Sequence, residues 1–214
     1  MNTQPKHIIF DFDGVIGDSF EVYSQLIQES FNIKTIEEAR QQNILWHSTV
    51  PHHTHKYTES KEALDLEVEK RIATGQQAAN IGFGLFHGFL DEIEKIDTPY
   101  MAIVSSGTKN AMLPALSKTH IKFSHILSFE DHYSKIEKVD MICRDWGVSP
   151  KDIYFFTDTK SDVIELENHL DKSKLFGCDW GWHGEKMLLD VLPVTQILYE
   201  FNDIHTKVFN QKRV

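Results

Sequence analysis

Two pairs of aspartates are the side chains in this 214-residue sequence that are best placed to do chemistry. Asp11 and Asp13 follow a short apolar segment at positions i and i+2, where both carboxylates can face one crevice and Gly14 permits a sharp turn. Asp158 and Asp162 follow another apolar segment, at a spacing that spans a loop and a helix start. Because carboxylate oxygens bind hard divalent cations, the four aspartates predict a metal site.

Groups that can bind an anion occur at two further places. Ser105, Ser106 and Gly107 offer hydroxyl and main-chain N–H donors in a short loop that enters a helix, although small polar residues are also common as simple helix caps. Lys135 opens another predicted helix, where a cation opposes the helix dipole and is better explained by a nearby anion. With a divalent cation, these donors form a coherent site for a phosphate group.

Five short apolar or β-branched segments predict the buried strands that position these residues. Helical patterns separate the strands, and no strand alternates between apolar and polar residues. The sequence therefore predicts an α/β fold with a doubly wound, parallel, five-stranded Rossmann-like sheet, whose ligands bind beyond the carboxyl ends of the strands. The predicted strands are His7–Phe10, Tyr100–Val104, His125–Ser128, Ile153–Phe156 and Leu175–Cys178.

A long interval without a convincing strand separates the first two predicted strands. Its apolar residues recur at helical spacing, and Thr35 with Glu38 has the spacing of a capping box. We therefore expect an inserted helical subdomain over residues 20–85, and an α/β core formed by residues 1–19 and 86–214.

Charge and hydropathy narrow the classes of partner. The chain has 22 Lys and Arg against 32 Asp and Glu, and the net charge of −10 disfavours a nucleic-acid backbone or an anionic membrane as its partner. No apolar run approaches the roughly 18 to 20 residues that cross a bilayer, and the first residues lack the apolar stretch of a signal peptide. We expect a cytoplasmic protein that acts on a small molecule, and the oligomeric state stays open.

The order of these motifs resembles that of the haloacid dehalogenase (HAD) superfamily of phosphohydrolases. DFDGV at 11–15, SSGT at 105–108, Lys135 and TDTKSD at 157–162 match its four motifs across the whole predicted core. The segment CDWGWH at 178–183 is similar to the tail of phosphoglycolate-phosphatase-like members. The resemblance implies that the insert is a small helical cap of the C1 type, which closes over the site and contacts the part of the substrate that is not phosphate.

The same resemblance implies roles for the individual residues. Asp11 would be the nucleophile that forms an aspartyl-phosphate, and Asp13 would be the general acid and base. Ser105, with the main chain around Ser106 and Gly107, would bind the phosphoryl group.

The implied cofactor is Mg²⁺. It would be held by the Asp11 side chain, the Asp13 main-chain carbonyl and Asp158, with Asp162 as a further ligand or as support. Lys135 would neutralise charge on Asp11 and the phosphate. The implied activity is hydrolysis of a small phosphorylated metabolite.

The sequence departs from the family pattern at two motif positions. Thr157 stands where the family usually has glycine, and either narrows the room near the metal or adds a hydroxyl. Ile136 replaces the proline that often follows the motif lysine, so Lys138 competes with the favoured Lys135 for that role.

Four histidines lie close together in the predicted insert, at His47, His52, His53 and His55. One hypothesis is that they contact an anionic or metal-bound leaving group. The alternative is an exposed polar loop, because their spacing is not that of a structural zinc site.

Other functions stay open beside phosphomonoester hydrolysis. A phosphosugar mutase of the same fold would pass the phosphoryl group to a second hydroxyl, and a catalytically silent relative would only bind. Carbon–halogen hydrolysis is disfavoured because the dehalogenases of the family lack an aspartate at the position of Asp13. A phosphoacceptor signalling module is disfavoured because its acceptor aspartate ends the third strand, which here ends in Ser128.

Overall fold

The structure of the chain is a computed structural model that describes residues 6–48 and 61–209, with the side chains of 61–64 outside the description. The strands in these ranges are β1 (His7–Phe10), β2 (Gly17–Asp18), β3 (Gly84–Leu85), β4 (Met101–Val104), β5 (His125–Leu127), β6 (Ile153–Thr157), β7 (Leu175–Cys178) and β8 (Ile197–Leu198). Six of them form a parallel sheet in the order β5-β4-β1-β6-β7-β8. The other two, β2 and β3, pair as a short antiparallel ribbon.

The predicted α/β fold with a parallel sheet is confirmed, and the predicted number of strands is wrong by one. All five predicted strands are present, as β1, β4, β5, β6 and β7. The sixth strand, β8, extends the sheet beside β7. It contains only two residues, which is too short for a pattern of apolar residues to indicate a strand.

The centre of the sheet is β1, which pairs with β4 on one side and β6 on the other. Its side chains are buried on both faces of the sheet. Ile8 and Phe10 belong to one hydrophobic core, and Ile9 belongs to the other. Burial on both faces explains why this strand is apolar at successive positions.

Helices cover the sheet and fill the interval between β2 and β3. The interval contains α1 (Phe20–Ser30), α2 (Ile36–Trp46) and α3 (Lys61–Ile81), which we call the cap helices. Later in the chain are α4 (His87–Glu94), α5 (Lys109–Leu116), α6 (Lys135–Trp146), α7 (Lys160–Leu166) and α8 (Gly184–Leu188). Single helical turns occur at Pro150–Asp152, Lys172–Lys174, Val194–Gln196 and Ile204–Val208.

The capping box predicted in the insert is confirmed at the start of α2. The Glu38 N–H donates to Thr35 Oγ1 at 3.2 Å, and the Thr35 N–H donates to Glu38 Oε2 at 3.3 Å. Both bonds satisfy main-chain donors that a helix start leaves without partners. No helix among residues 6–48 and 61–209 is long and apolar enough to cross a membrane.

Candidate active site

The candidate active site lies at the carboxyl ends of β1, β4 and β6. Main-chain bonds extend the sheet by one residue at two of these ends, from the Asp11 N–H to the Phe156 carbonyl at 2.8 Å and from the Ser105 N–H to the Leu127 carbonyl at 2.9 Å. Because β1 lies between its neighbours, Asp11 stands between the loop after β4 and the loop after β6. The sheet thereby brings together residues from three distant parts of the sequence.

Asp11 is buried, and both of its carboxylate oxygens have donors. The Phe12 N–H donates to Oδ1 at 2.7 Å, and the Lys135 ammonium donates to Oδ2 at 2.6 Å. The same ammonium donates to Asp162 Oδ2 at 2.5 Å. Lys135 therefore bridges two carboxylates beneath the site, which agrees with the expectation that an anion explains a lysine at this helix start.

Burial and charge shift the pKa values of these three groups in different directions. Burial lowers the pKa of Lys135, but Asp11 and Asp162 outweigh it and hold the pKa above its ordinary range. Burial raises the pKa of Asp162, but the attraction of Lys135 and hydrogen bonds to the carboxylate lower it below its ordinary range. Burial raises the pKa of Asp11, and the charges of Asp162 and Asp158 act in the same direction while Lys135 opposes them. One ammonium does not neutralise three neighbouring carboxylates, so the site favours an additional cation.

Lys138, the second candidate for the motif lysine, is buried behind the loop that follows β4. Its ammonium donates to the Ser105 carbonyl at 2.5 Å and to the Ser128 carbonyl at 3.3 Å. Burial and the nearby Lys135 charge lower the pKa of Lys138 to about 7. The geometry thus gives the contact with Asp11 to Lys135, while Lys138 holds the main chain of the neighbouring loop.

Asp13 faces the loop that follows β4. Its Oδ1 accepts from the Ser19 hydroxyl at 2.7 Å, and the Ser105 hydroxyl also hydrogen bonds to the carboxylate. Burial outweighs these bonds and raises the pKa of Asp13 to about 6. A Cβ atom at Gly107 would stand 2.8 Å from Asp13 Oδ2, so only glycine allows this loop to approach the carboxylate so closely.

The loop after β4 presents main-chain and hydroxyl groups to the same space. Ser105 is fully buried, and its Oγ accepts from the Gly107 N–H at 2.8 Å. Thr108 is the N-cap of α5, although its side chain makes no capping bond to that helix. The first N–H group of α5, that of Lys109, donates to the Glu130 carboxylate at 3.0 Å, so the donors that could serve an anion belong to the loop before the helix.

Asp158 is fully buried and only partly satisfied. Its Oδ2 accepts from the Trp182 N–H at 2.7 Å, while its Oδ1 has no hydrogen-bond partner among the described residues. Burial raises the pKa of Asp158 to about 8. Since buried polar atoms are nearly always paired, an orphaned carboxylate oxygen beside Asp11 and Asp162 fits a cation ligand.

The carboxylates alone do not form a complete metal site. In the described ranges, no three His, Cys, Asp or Glu side chains converge closely enough to bind a metal ion. The Asp13 side chain is turned toward Ser19, and Asp162 is held by Lys135. The donor set therefore fits an ion held by Asp11 and Asp158 together with main-chain, phosphate or water oxygens, instead of one enclosed by four carboxylates.

Thr157, which stands where the family usually has glycine, uses its hydroxyl. Thr157 Oγ1 donates to Asp162 Oδ2 at 2.6 Å and accepts from the Thr159 N–H at 3.2 Å. The Thr157 side chain thus fixes the Asp162 carboxylate that faces Lys135. This contact supports the interpretation that Thr157 adds a hydroxyl to the site.

Two polar residues support the site through contacts that no motif spacing indicates. Glu165 Oε1 accepts from the main-chain N–H groups of Lys135 and Ile136, at 2.7 and 3.1 Å, and so stabilises the start of α6. His183 Nδ1 accepts from the Lys160 N–H at 2.9 Å at the start of α7. Both contacts join residues more than twenty positions apart, so no motif spacing could indicate them.

A cavity of about 450 Å³ lies above Asp11 and Asp13, and the cap helices form its opposite wall. Hydrogen bonds tie these helices to the core. His183 Nε2 donates to the Ile44 carbonyl at 3.1 Å, and Arg71 Nη1 donates to the Ser106 carbonyl at 3.1 Å. The cap helices therefore face the catalytic candidates across the cavity.

Of the four histidines in the insert, only His47 lies within the described residues. Its ring packs edge-on against Trp182, with 5.0 Å between the ring centroids, and it borders the cavity. His52, His53 and His55 lie outside the described residues, so their predicted contacts stay a hypothesis.

The fold and the site together define a doubly wound α/β protein with an acidic, lysine-bearing site beneath helices inserted after the first strand. The family model for haloacid dehalogenase-like hydrolases matches residues 8–167, which is more than half of the chain. The chain belongs to this family of hydrolases. A search of curated proteins finds no significant match.

Solved structures with the same fold cover nearly the whole chain. A protein from Clostridium acetobutylicum, described as a predicted phosphatase, has a TM-score of 0.69 at 16% identity, covering 98% of this chain and 100% of its own. A predicted phosphoglycolate phosphatase from Haemophilus somnus has a TM-score of 0.66 at 18% identity, covering 99% and 100%. A haloacid dehalogenase-like protein of unknown function from Agrobacterium tumefaciens has a TM-score of 0.67 at 17% identity, covering 97% and 99%. At these identities the likeness concerns the fold.

Proposed function

We propose that this protein is a Mg²⁺-dependent phosphatase that hydrolyses a small phosphorylated metabolite of the cytoplasm through an aspartyl-phosphate on Asp11. The observation that carries the proposal is the pairing of the Asp11 carboxylate with the Lys135 ammonium at 2.6 Å, on the floor of a cavity beside the loop of Ser105. The family assignment and the descriptions of two solved neighbours as predicted phosphatases support it. In this proposal residues 20–85 form the cap, and residues 1–19 and 86–214 form the core.

Asp11 is the nucleophile in this reaction. Its two oxygens are held by the Phe12 N–H and by Lys135, which fixes the carboxylate before substrate arrives. An oxygen of Asp11 attacks phosphorus, and the bond from phosphorus to the ester oxygen breaks with its electron pair on that oxygen. Lys135 offsets the charge of the carboxylate and of the incoming phosphate.

Asp13 moves the protons of both steps. With a pKa of about 6, it can hold a proton before the reaction and donate it to the departing ester oxygen. As a carboxylate, it then accepts a proton from the water that attacks the aspartyl-phosphate. Inorganic phosphate leaves, and the Asp11 carboxylate is restored.

The loop of Ser105, Ser106 and Gly107 binds the transferring phosphoryl group. The buried Ser105 side chain and the main chain around Ser106 and Gly107 supply the donors. Lys138 holds the Ser105 carbonyl from behind, so the loop is braced on the side away from the substrate.

The Asp11 carboxylate, the Asp13 main-chain carbonyl and Asp158 would hold Mg²⁺, with Asp162 in support through its contact with Lys135. The orphaned Oδ1 of Asp158 supports this assignment. When bound, the ion reduces the repulsion between the nucleophile and the phosphate oxygens.

The test is phosphate release from 4-nitrophenyl phosphate and from a panel of phosphorylated metabolites, with Mg²⁺ and after chelation. We expect turnover that requires Mg²⁺ and falls by about a thousandfold or more in Asp11→Asn. The matched control is Asp97→Asn, an identical change at an exposed position outside the cavity. Equal activity of wild type and Asp11→Asn, or no turnover of any ester, would overturn the proposal. Transfer of phosphate between hydroxyls of a sugar phosphate would indicate the mutase instead.

A further inference from the structure

The cavity above the candidate nucleophile is large for a small leaving group. Its volume of about 450 Å³ lies within the range of pockets that enclose ligands with one or more rings. It begins at Asp11 and Asp13 and continues without interruption to the cap helices. A two-carbon leaving group attached to the phosphate would contact only the part nearest the aspartates.

The part of the wall formed by α1, its C-cap and the end of α2 is mostly apolar and rich in aromatic rings. Tyr23 and Ile27 line the cavity from one face of α1, and Phe31 lines it from the C-cap position that follows the helix. Trp46 lines it from the end of α2, with its ring centroid 5.1 Å from that of Phe31. Trp182 lines it from the core.

One of these rings is unusually exposed. Phe31 has 62% of its surface accessible, and it borders the cavity. An aromatic side chain left in water forgoes the favourable free energy of burial, which a ring of a ligand packed against it would restore.

Two cationic residues, Arg71 and Lys70, lie in the cap wall, and the guanidinium of Arg71 is engaged in contacts within the protein. Arg71 pairs with Glu67 at 2.9 Å, donates to the Ser106 carbonyl and lies 4.2 Å from the centroid of the Phe129 ring. Arg71 therefore connects α3 to the loop of Ser105, Ser106 and Gly107. Lys70 also lines the cavity, but it is largely exposed. This wall resembles a surface for an apolar ring more than a receptor for a second anionic group.

We infer that the alcohol released from the phosphomonoester carries an aromatic ring a few bonds from the ester oxygen, and that the ring packs against Ile27, Phe31 and Trp46. This inference rests on the proposed phosphatase function and names its substrate class. The phosphate occupies the floor at Asp11, and the chain linking phosphate to ring spans the distance to α1.

The test compares esters of primary alcohols, so that the reactivity of the leaving group is similar. The substrates are 3-phenylpropyl phosphate, propyl phosphate and phosphoglycolate, assayed by phosphate release with the full chain and Mg²⁺. We expect kcat/KM for the phenylpropyl ester to exceed that of both others by roughly tenfold or more, because the ring gains burial in the transition state as well as on binding.

Variants show whether the apolar wall causes the preference. In Phe31→Ala and in Phe31→Ala/Trp46→Ala we expect the ratio of kcat/KM for phenylpropyl phosphate to kcat/KM for propyl phosphate to shrink toward one. The control is Leu45→Ala, which removes an apolar side chain that is 56% exposed on α2 and does not line the cavity. It should keep the preference.

The outcomes separate this inference from the proposed function. Equal kcat/KM for phenylpropyl and propyl phosphate, a preference for phosphoglycolate, or an unchanged preference in the double variant would overturn the inference while the phosphatase stands. If none of the three esters is hydrolysed and the metabolite panel is also inert, both are overturned.

Discussion

The Lys138 ammonium nitrogen lies 2.5 Å from the main-chain carbonyl oxygen of Ser105, directly behind the loop proposed to bind phosphate. It also donates to the Ser128 carbonyl, so one buried lysine side chain connects the residues that follow β4 and β5. The lysine thus fixes the geometry of the loop without contacting Asp11.

Replacing this lysine is expected to weaken phosphate binding. In Lys138→Met the side chain stays unbranched and is one atom shorter, but the two carbonyls lose their donor and nothing holds the Ser105 loop from behind. We expect the inhibition constant of inorganic phosphate to rise about fivefold, which corresponds to about one hydrogen bond. The measurement is phosphate inhibition of the Mg²⁺-dependent phosphatase activity.

A matched control for Lys138 exists outside the site. Lys151 also donates to two main-chain carbonyls, those of Asn168 and Leu170, at 3.3 and 2.7 Å. Lys151→Met should lower thermal stability without changing the phosphate inhibition constant. If Lys138→Met leaves that constant unchanged as well, the lysine has no role in holding the phosphate loop.

The Thr157 hydroxyl is expected to lower the Mg²⁺ concentration that the enzyme needs for half-maximal activity. Thr157→Val keeps the shape of the side chain but removes the donor 2.6 Å from Asp162 Oδ2. With Asp162 less well fixed, we expect the Mg²⁺ concentration for half-maximal activity to rise about fivefold. Titration of activity with Mg²⁺ measures it.

Two further variants make the Thr157 prediction specific. Thr98→Val removes a hydroxyl that donates to the Lys6 carbonyl at 2.6 Å, far from the site, and should leave the Mg²⁺ response as in wild type. Thr157→Gly introduces the residue usual in the family and should behave like Thr157→Val. A Thr157→Gly variant that needs less Mg²⁺ than wild type would mean that room near the metal, and not the hydroxyl, is what matters.

The two proton transfers assigned to Asp13 can be separated with 4-nitrophenyl phosphate, whose leaving group needs no proton. In Asp13→Asn we expect a rapid burst of one nitrophenolate per site, because Asp11 can still attack. Steady-state turnover should fall by about a hundredfold or more, because no base activates water. Stopped-flow absorbance measures the burst, and Asp11→Asn should show none. A single slow phase without a burst in Asp13→Asn would contradict this division of roles.

Much of the fold could be predicted because its signals are local. The strand from His7 to Phe10 was predicted with the bounds that the structure has, since three apolar residues end abruptly at an aspartate. The capping box at Thr35 is likewise encoded in four consecutive residues. The edge strand β8 was missed because a two-residue strand is defined by its partner and not by its own composition.

In the candidate site, too, some residues could be predicted from local sequence and others could not. Residues at strand ends, such as Asp11 and Ser105, were predictable because a parallel sheet collects its carboxyl ends at one edge. The supporting contacts were not predictable, because Glu165 meets the start of α6 and Lys138 meets Ser105 only through packing of distant segments. The sequence also left Lys135 and Lys138 as competitors, and only their positions in space distinguish their contacts.

His183 is expected to make stability depend on pH between about 4 and 6.5. Burial, aided by the charge of Lys160, lowers the pKa of His183 from its ordinary 6.5 to about 4, against the opposing effects of the bond to Ile44 and the charge of Asp162. The neutral ring fits its contacts, since Nδ1 accepts from Lys160 and Nε2 donates to Ile44. As pH falls below 6.5, His183 binds a proton in the unfolded chain but not in the folded one. The free energy of unfolding therefore decreases until about pH 4.

A comparison of variants isolates this contribution from the other titrating groups. Between pH 7 and pH 5, wild type should lose about 2 kcal/mol of unfolding free energy more than His183→Gln, which cannot titrate. Urea unfolding at the two pH values measures the difference. His120→Gln, at an exposed position, should follow wild type. If His183→Gln loses as much stability as wild type over this range, then the pKa of His183 is not lowered in the folded protein, and its ring is protonated at pH 5 and cannot accept from the Lys160 N–H.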